Sequence, residues 1–289
     1  MTERISKYRM VGIGELLWDI LPDGRKLGGS PMNVAYHCQA AGIKSAVVSA
    51  IGNDKLGSEI LEQVQEKEIT TDYIQICNDR PTGTVSVNLN QGIPDFTIHP
   101  DVAWDEIQWN DQLEELAKSI DAAAFGSLSQ RNSVSQKTIQ SFLKSMKPDS
   151  LRVFDVNLRQ NHHSVELLSD SLSLCNILKI NDEELPILSG YLNITGTIKE
   201  QLHTLIDTYS LKLVAYTMGA KGSWLVTRDT YSEMHAPKVK IADTVGAGDA
   251  FTGVLLAGLL EGKPMKIIHQ EATAVAGWVC SREGGTPDY

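Results

Sequence analysis

The sequence predicts an α/β protein, a mostly parallel sheet with helices on both faces. Apolar, strand-like runs alternate with helix-period segments along the chain, and repeated β-α-β order puts helices across both faces of parallel strands. One interval, about 71–100, breaks that alternation with strand-like runs and no helix between them. The 289 residues are 42% hydrophobic and 21% charged, enough apolar material for a sizeable core and too much for wholesale disorder.

The elements follow in order. RMVGIGELLWDIL (9–21) reads as an opening strand, and Pro22-Asp23-Gly24 behind it as a turn. SPMNVAYHCQAAG (30–42) reads as a helix stopping at Gly42, KSAVVSAIG (44–52) as a strand, and DKLGSEILEQVQEKEI (54–69) as an amphipathic helix striped from Leu56 and Ile60 onward. DYIQI, TGTVSVNL and FTIH fill the helix-free interval, and the alternation in TVSVNLN suits a strand with one solvated face. Together with 21–29 these runs are expected to form a small antiparallel sheet projecting as a lid over the strand ends, or else an edge extension of the main sheet. Strand-helix pairs resume at AAAFGSLS with SVSQKTIQSFLKSM and at LRVFDVNL with SVELLSDSLSLC. NILKIN, LKLVAYTMG and the last helices complete the series.

Charge and cysteine usage narrow the function. The net charge of −10 argues against nucleic acid, whose backbone demands a basic face. A phosphorylated small molecule stays open, because backbone N–H groups and a few basic residues suffice to hold it. Cys38, Cys77, Cys175 and Cys280 have no metal or redox spacing and read as reduced thiols. MTERISKYRM lacks a signal-peptide apolar core, and no run approaches the ~20 apolar residues of a membrane span. A soluble, cytoplasmic protein is expected, with no membrane partner.

ADTVGAGDAFTGVLLAGLLEG (242–262) carries the most chemistry. An extended approach reaches Gly246-Ala247-Gly248-Asp249 and turns into an apolar helix. Small residues admit a ligand to the first helical N–H groups, which lack internal acceptors and sit at the positive end of the helix dipole. That is an anion hole suited to a phosphoryl group in transfer, with Asp249 placed as a base beside it. From spacing alone, a capped glycine turn with nothing bound explains it equally well. Asp243 reads either as a turn residue or as part of a cation site behind the loop, and NDEEL reads as a helix N-terminus.

Asp243-Thr244-Val245-Gly246-Ala247-Gly248-Asp249-Ala250-Phe251 resembles the C-terminal signature of the ribokinase–fructokinase (pfkB-type) carbohydrate kinases. Gly28-Gly29-Ser30-Pro31-Met32-Asn33-Val34-Ala35 resembles their N-terminal Gly-Gly motif, and the likeness covers essentially the whole chain. The resemblance implies one ribokinase-like three-layer α/β/α domain over 1–289, with a mostly parallel sheet and a small antiparallel β lid from about 16–29 and 71–100. It implies an ATP-dependent sugar kinase. Asp249 falls on the catalytic base, with Gly246, Ala247 and Gly248 as the anion hole. Thr217, Gly219 and Gly222 match the loop along the nucleotide phosphates, while Asn181 and Glu184 match the element organising magnesium and its waters. Asp243 and the Val245 carbonyl fall beside a monovalent cation, potassium, although many relatives carry Thr at Val245. Asp19, Gly29 and Asn33 fall on the sugar contacts, and Arg131 and Arg159 are read as sugar- or phosphate-orienting, or else as surface arginines. GELLWDILPDG, GGSPMNVAYH and FGSLSQR look closest to bacterial fructokinases, and Ser30 stands where ribokinases usually carry Lys. Fructose is therefore the expected acceptor, with ribose, 2-keto-3-deoxygluconate or a nucleoside as alternatives, and a homodimer through the flap sheet follows from the family.

Three other readings are weaker. A dinucleotide fingerprint at Gly12-Ile13-Gly14 lacks its third glycine, since Leu17 occupies that place. A sugar-binding regulator without chemistry is disfavoured because Asp249, the anion hole and the Asn181–Glu184 element are all present. His162-His163 in a polar loop reads as solvated rather than metal-binding.

Overall fold

A computed structural model describes residues 7–21, 24–90 and 93–289. MTERIS, and Pro22 and Asp23 of the expected turn, lie outside them. The first half runs Arg9–Ile13 (β1), Leu17–Leu21 (β2), Gly24–Gly28 (β3), Ser30–Ala40 (α1), Lys44–Gly52 (β4), Lys55–Glu66 (α2), Ile74–Cys77 (β5), Gly83–Asn90 (β6), Ile93–Ile98 (β7) and Asp111–Ser119 (α3). Next come Ala122–Gly126 (β8), Ser133–Ser145 (α4), Leu151–Asp155 (β9), Val165–Leu174 (α5), Ile177–Asn181 (β10), Glu184–Leu192 (α6) and Ile198–Tyr209 (α7). Leu213–Thr217 (β11), Ser223–Val226 (β12), Tyr231–Met234 (β13), Ala247–Leu260 (α8) and Met265–Cys280 (α9) end the order.

Nine strands form the larger sheet in the order β13-β12-β11-β10-β9-β8-β1-β4-β5, parallel except at β11–β12 and β12–β13. Alternate side chains of each strand go to opposite faces, so the sheet has two cores. Val11, Ile13, Phe125, Phe154 and Val214 pack with buried residues of α3, α4, α5, α6 and α7. Met10, Val47, Ala124, Val153 and Leu225 pack with α1, α2, α8 and α9. Helices thus cover both faces of the sheet in three α/β/α layers. Asp54 starts α2, its Oδ1 accepting from the Gly57 N–H at 2.8 Å. α8 is buried all round from Ala250 to Gly258, as its uniformly apolar sequence requires. No helix among the described residues is long and apolar enough to cross a membrane.

The smaller sheet, β3-β2-β6-β7, contains two antiparallel hairpins joined by a parallel β2–β6 pair. Val85 and Ile98 root it on a small cluster with Leu17, Val102, Trp104 and Leu128.

Two expectations change. The opening run is two strands in different sheets. The chain breaks at Gly14, where φ is 147° and a Cβ would sit 2.5 Å from Ser129 Oγ. Ile74–Cys77, expected in the projecting sheet with an edge extension of the main sheet as the alternative, takes the alternative: it pairs in parallel with Ser49–Gly52 of β4 and forms the edge of the larger sheet. Gly12 also finds its reason, since a Cβ there would overlap the Pro31 carbonyl of α1. It lets helix and strand approach, and β2 follows β1 where a dinucleotide fold needs a long helix.

Candidate active site

The strand order reverses at β1, which lies between β4 and the later β8. In open parallel sheets the crevice for a ligand opens beyond the carboxyl ends of the strands at such a point. Glu15 leaves β1 there, Ser127 to Arg131 leave β8, Asn157 to Arg159 leave β9, and Asn181 to Glu184 leave β10.

α8 enters this crevice by its N-terminus. Gly246 is its N-cap at φ 76°, and a Cβ there would overlap Gly285. No side chain caps the helix, and the N–H groups of Gly248 and Asp249 meet no acceptor among the described residues. Those free donors and the helix dipole would favour an anion at this helix start. Behind it lies Lys179, whose ammonium would stand 3.1 Å from a Cβ at Gly248. Lys179 is buried and donates to Asp155 Oδ1 at 3.1 Å. Burial works against its charge, but Asp155, Glu184 and Asp249 outweigh it and hold the lysine above its ordinary range.

Asp249 is gripped at both oxygens. Ser30 Oγ donates to Oδ1 at 2.6 Å, and Asn33 Nδ2 donates to Oδ2 at 2.8 Å. α1 thus aims the carboxylate, and Asn33, expected on the sugar, is 4% exposed against Asp249. Gly29 passes so close to the Glu15 carbonyl that a Cβ would overlap it. Glu15 is itself buried, and burial, with Asp249 adding to it, pushes its carboxyl up to about 7, against the N–H groups of Glu15 and Ser30 and the Ser129 hydroxyl. Asp19 on β2 is pushed up to about 6 by burial; Arg159 pulls it down, while Asp243 and Asp249 push it up. Arg159, Asp243 and Asp249 each lie within electrostatic reach of Asp19.

The remaining expected residues divide. Asn181 Oδ1 accepts from the N–H groups of Glu183 and Glu184 at 2.9 and 2.8 Å. Glu184 Oε2 accepts from the Asn181 N–H at 2.9 Å and Oε1 from the Leu158 N–H at 3.1 Å. The helix-start reading of NDEEL is thus physically present. Each carboxylate oxygen keeps a further lone pair for a metal-bound water, whereas no group of three or more His, Cys, Asp or Glu among the described residues forms a metal cage. The residues fit magnesium carried by phosphates and water rather than by protein alone. Thr217 ends β11, and its carbonyl accepts from the Asp182 N–H at 3.0 Å, joining the two loops. Gly219 opens a single 3-10 turn closed by the Gly222 N–H on the Gly219 carbonyl at 3.1 Å, and the Met218 N–H donates to the Gly222 carbonyl at 2.8 Å. Asp243 binds the N–H groups of Val245 and Gly284, both at 3.0 Å, so it staples the loop to residue 284, and Val245 is exposed beside it. Arg131 makes two 2.8 Å bonds to Asp105, stacks 4.0 Å over the Trp104 ring and donates to the His99 carbonyl. It therefore braces the root of the smaller sheet, with only Nη1 left unpartnered.

Residues 24–289 match the pfkB family of carbohydrate kinases. The chain belongs to that family. As a pfkB-family member it is a phosphotransferase whose acceptor is a sugar hydroxyl. It is 31% identical over 276 residues to an uncharacterized sugar kinase of Pyrococcus horikoshii, PH1459, covering 90% of this chain and 85% of the relative. A crystal structure of PH1459 with ATP superimposes with a TM-score of 0.80 at 28% identity, covering 96% and 94% of the two chains. A fructokinase of Salmonella typhimurium is 26% identical, covering 93% of this chain and 90% of its own. The ATP-bound fructokinase of Xylella fastidiosa shares the fold, with a TM-score of 0.85 at 22% identity and coverage of 97% and 94%.

For a pfkB kinase, the sequence reading missed the role of Ser30 in aiming Asp249, and it missed Glu15 and the Lys179–Asp155 pair altogether. Lys179 had a visible signal, a charge inside the apolar run NILKIN.

Proposed function

We propose that the protein is an ATP-dependent kinase that moves the γ-phosphoryl group onto a hydroxyl of a small neutral sugar, fructose, within one domain. The carrying observation is Asp249, aimed by Ser30 and Asn33 beside the uncapped start of α8. The ATP complexes of the neighbouring kinases support the donor, and the fructokinase relatives support the acceptor. Asp249 takes the proton of the attacking hydroxyl, and the oxygen meets the γ-phosphorus in line as the bond from that phosphorus to the bridging oxygen breaks and ADP leaves. The N–H groups of Gly248 and Asp249, with Lys179 behind them, receive the charge spreading over the phosphoryl oxygens. Magnesium, when bound with ATP, neutralises phosphate charge; Asn181 and Glu184 hold its waters, and Thr217, Gly219 and Gly222 line the phosphates. Asp19, Gly29 and Arg159 face the sugar, and the smaller sheet closes over it to exclude water. The same reading gives a monovalent cation to Asp243 and the Val245 carbonyl, and a second copy of the chain to the smaller sheet.

ADP release measured across fructose, ribose, 2-keto-3-deoxygluconate and nucleosides tests the acceptor. The highest kcat/KM is expected for fructose. A value for ribose equal to it rejects the assignment.

A further inference from the structure

His37 lies on α1, one turn beyond Asn33, and is fully buried. Its Nε2 stands 2.9 Å from the Gly285 carbonyl, and its Nδ1 stands 2.8 Å from the Tyr289 hydroxyl. A carbonyl only accepts, so Nε2 carries the proton, and Nδ1 accepts from the tyrosine. Burial lowers the imidazole's basicity, and Lys67 lowers it further against the Gly285 bond and Asp249. The neutral donor form is therefore the working one.

Gly285 is a wall shared by two parts of the site. A Cβ at Gly246 would overlap Gly285, and a Cβ at Gly285 would stand 2.8 Å from Asn33 Nδ2. The 284–287 backbone is fastened to α1 and its surroundings along its length. Gly284 donates to Asp243 Oδ2 at 3.0 Å, Lys67 Nζ donates to the Thr286 carbonyl at 2.9 Å, and Tyr36 donates to the Pro287 carbonyl at 2.8 Å. His37 supplies the one hydrogen bond to Gly285 itself among the described residues. Nothing in the phosphoryl transfer described above uses this histidine.

We infer that His37 is a positioning residue for phosphoryl transfer: its Nε2–H fixes the Gly285 carbonyl and so seats the anion-hole turn and the Asn33–Asp249 pair against each other. It touches neither sugar nor nucleotide. Its removal shifts reacting groups and leaves the substrate contacts in place, so the loss falls on kcat. Displacements of ~1 Å at such positions cost up to about 100-fold.

Two variants test this, with kinetics and hydrogen–deuterium exchange read together. His37→Leu is expected to lower kcat at least about tenfold with each KM within about threefold of wild type. It is also expected to speed amide exchange across 243–250. His37→Gln, which returns an N–H near the Nε2 position, is expected to keep kcat within about threefold of wild type and to restore slow exchange. The exchange readout needs no acceptor sugar, so a failure of the fructose assignment leaves it standing. A leucine variant with wild-type kcat and exchange overturns the inference, as do equal losses in both variants. Should the leucine variant fail to fold, His37→Asn decides. Its shorter amide falls short of the Gly285 carbonyl, so a lowered kcat with faster exchange across 243–250 supports the role, and wild-type kcat and exchange reject it.

Discussion

Asp249 accepts two hydrogen bonds from α1 and lies in the first turn of α8, so its carboxylate is oriented before any substrate arrives. Replacing it by Asn keeps the size and removes the carboxylate proposed as the base. Asp249→Asn is expected to lower kcat ~100-fold or more, with sugar binding by calorimetry largely retained; an active variant would show that the proton leaves by another route. Glu15 gives a pH-dependent expectation. Its carboxyl stands at about 7 in the folded protein against 4.5 for the unperturbed group. Below about pH 4.5 both states hold the proton, and Glu15 has no net effect on stability. As pH rises toward 7 the unfolded chain has released its proton while the folded one keeps it, so stability falls. The fall amounts to about 3 kcal/mol at the upper end. Glu15→Gln lacks this titration, so its unfolding free energy should gain about that much on the wild type between pH 4 and pH 8. Urea denaturation at the two pH values checks it, and a pH-independent gap refutes it.

Among the elements, those with a strong period were legible in the sequence. Lys44–Gly52 is a strand over the residues read as one, and the helix expected over 30–42 spans Ser30–Ala40. Two features were hidden because they depend on partners distant in the chain. The break at Gly14 answers to Ser129, and Ile74–Cys77 belongs to β4 because of hydrogen bonding that its own pattern does not encode. The site shows the same division. Asp249 and the Gly246–Gly248 entrance were legible through their resemblance to the pfkB signature, since spacing alone left a capped glycine turn equally open. The binding of Arg131 to Asp105, and of Asn33 to Asp249, came only with the fold. α1 and α8 carry the two halves of the site and cross at Gly253, where a Cβ would stand 2.7 Å from His37 Cβ and 3.0 Å from the Val34 carbonyl. Gly253→Ala is therefore expected to cost about 1–3 kcal/mol of stability, together with turnover. A variant with wild-type melting temperature would show that the helices have room to spare.

For the whole molecule, the decisive relation is between the two sheets. The Arg131–Asp105 pair ties the root of the smaller sheet to the loop after β8. Loosening it should separate sugar phosphorylation from water exclusion. Asp105→Asn is expected to raise sugar-independent ATP hydrolysis relative to sugar phosphorylation by about threefold or more. Parallel measurements of ADP and sugar phosphate check this, and an unchanged ratio removes the brace from the closure mechanism. The long reach of the Asp249 contacts has one more outcome. Ser30 and Asn33 meet Asp249 across 219 and 216 residues. On the ribosome the helix that aims the base is therefore made far earlier than the base itself. A nascent chain released before residue 249 carries the aiming residues with nothing to aim.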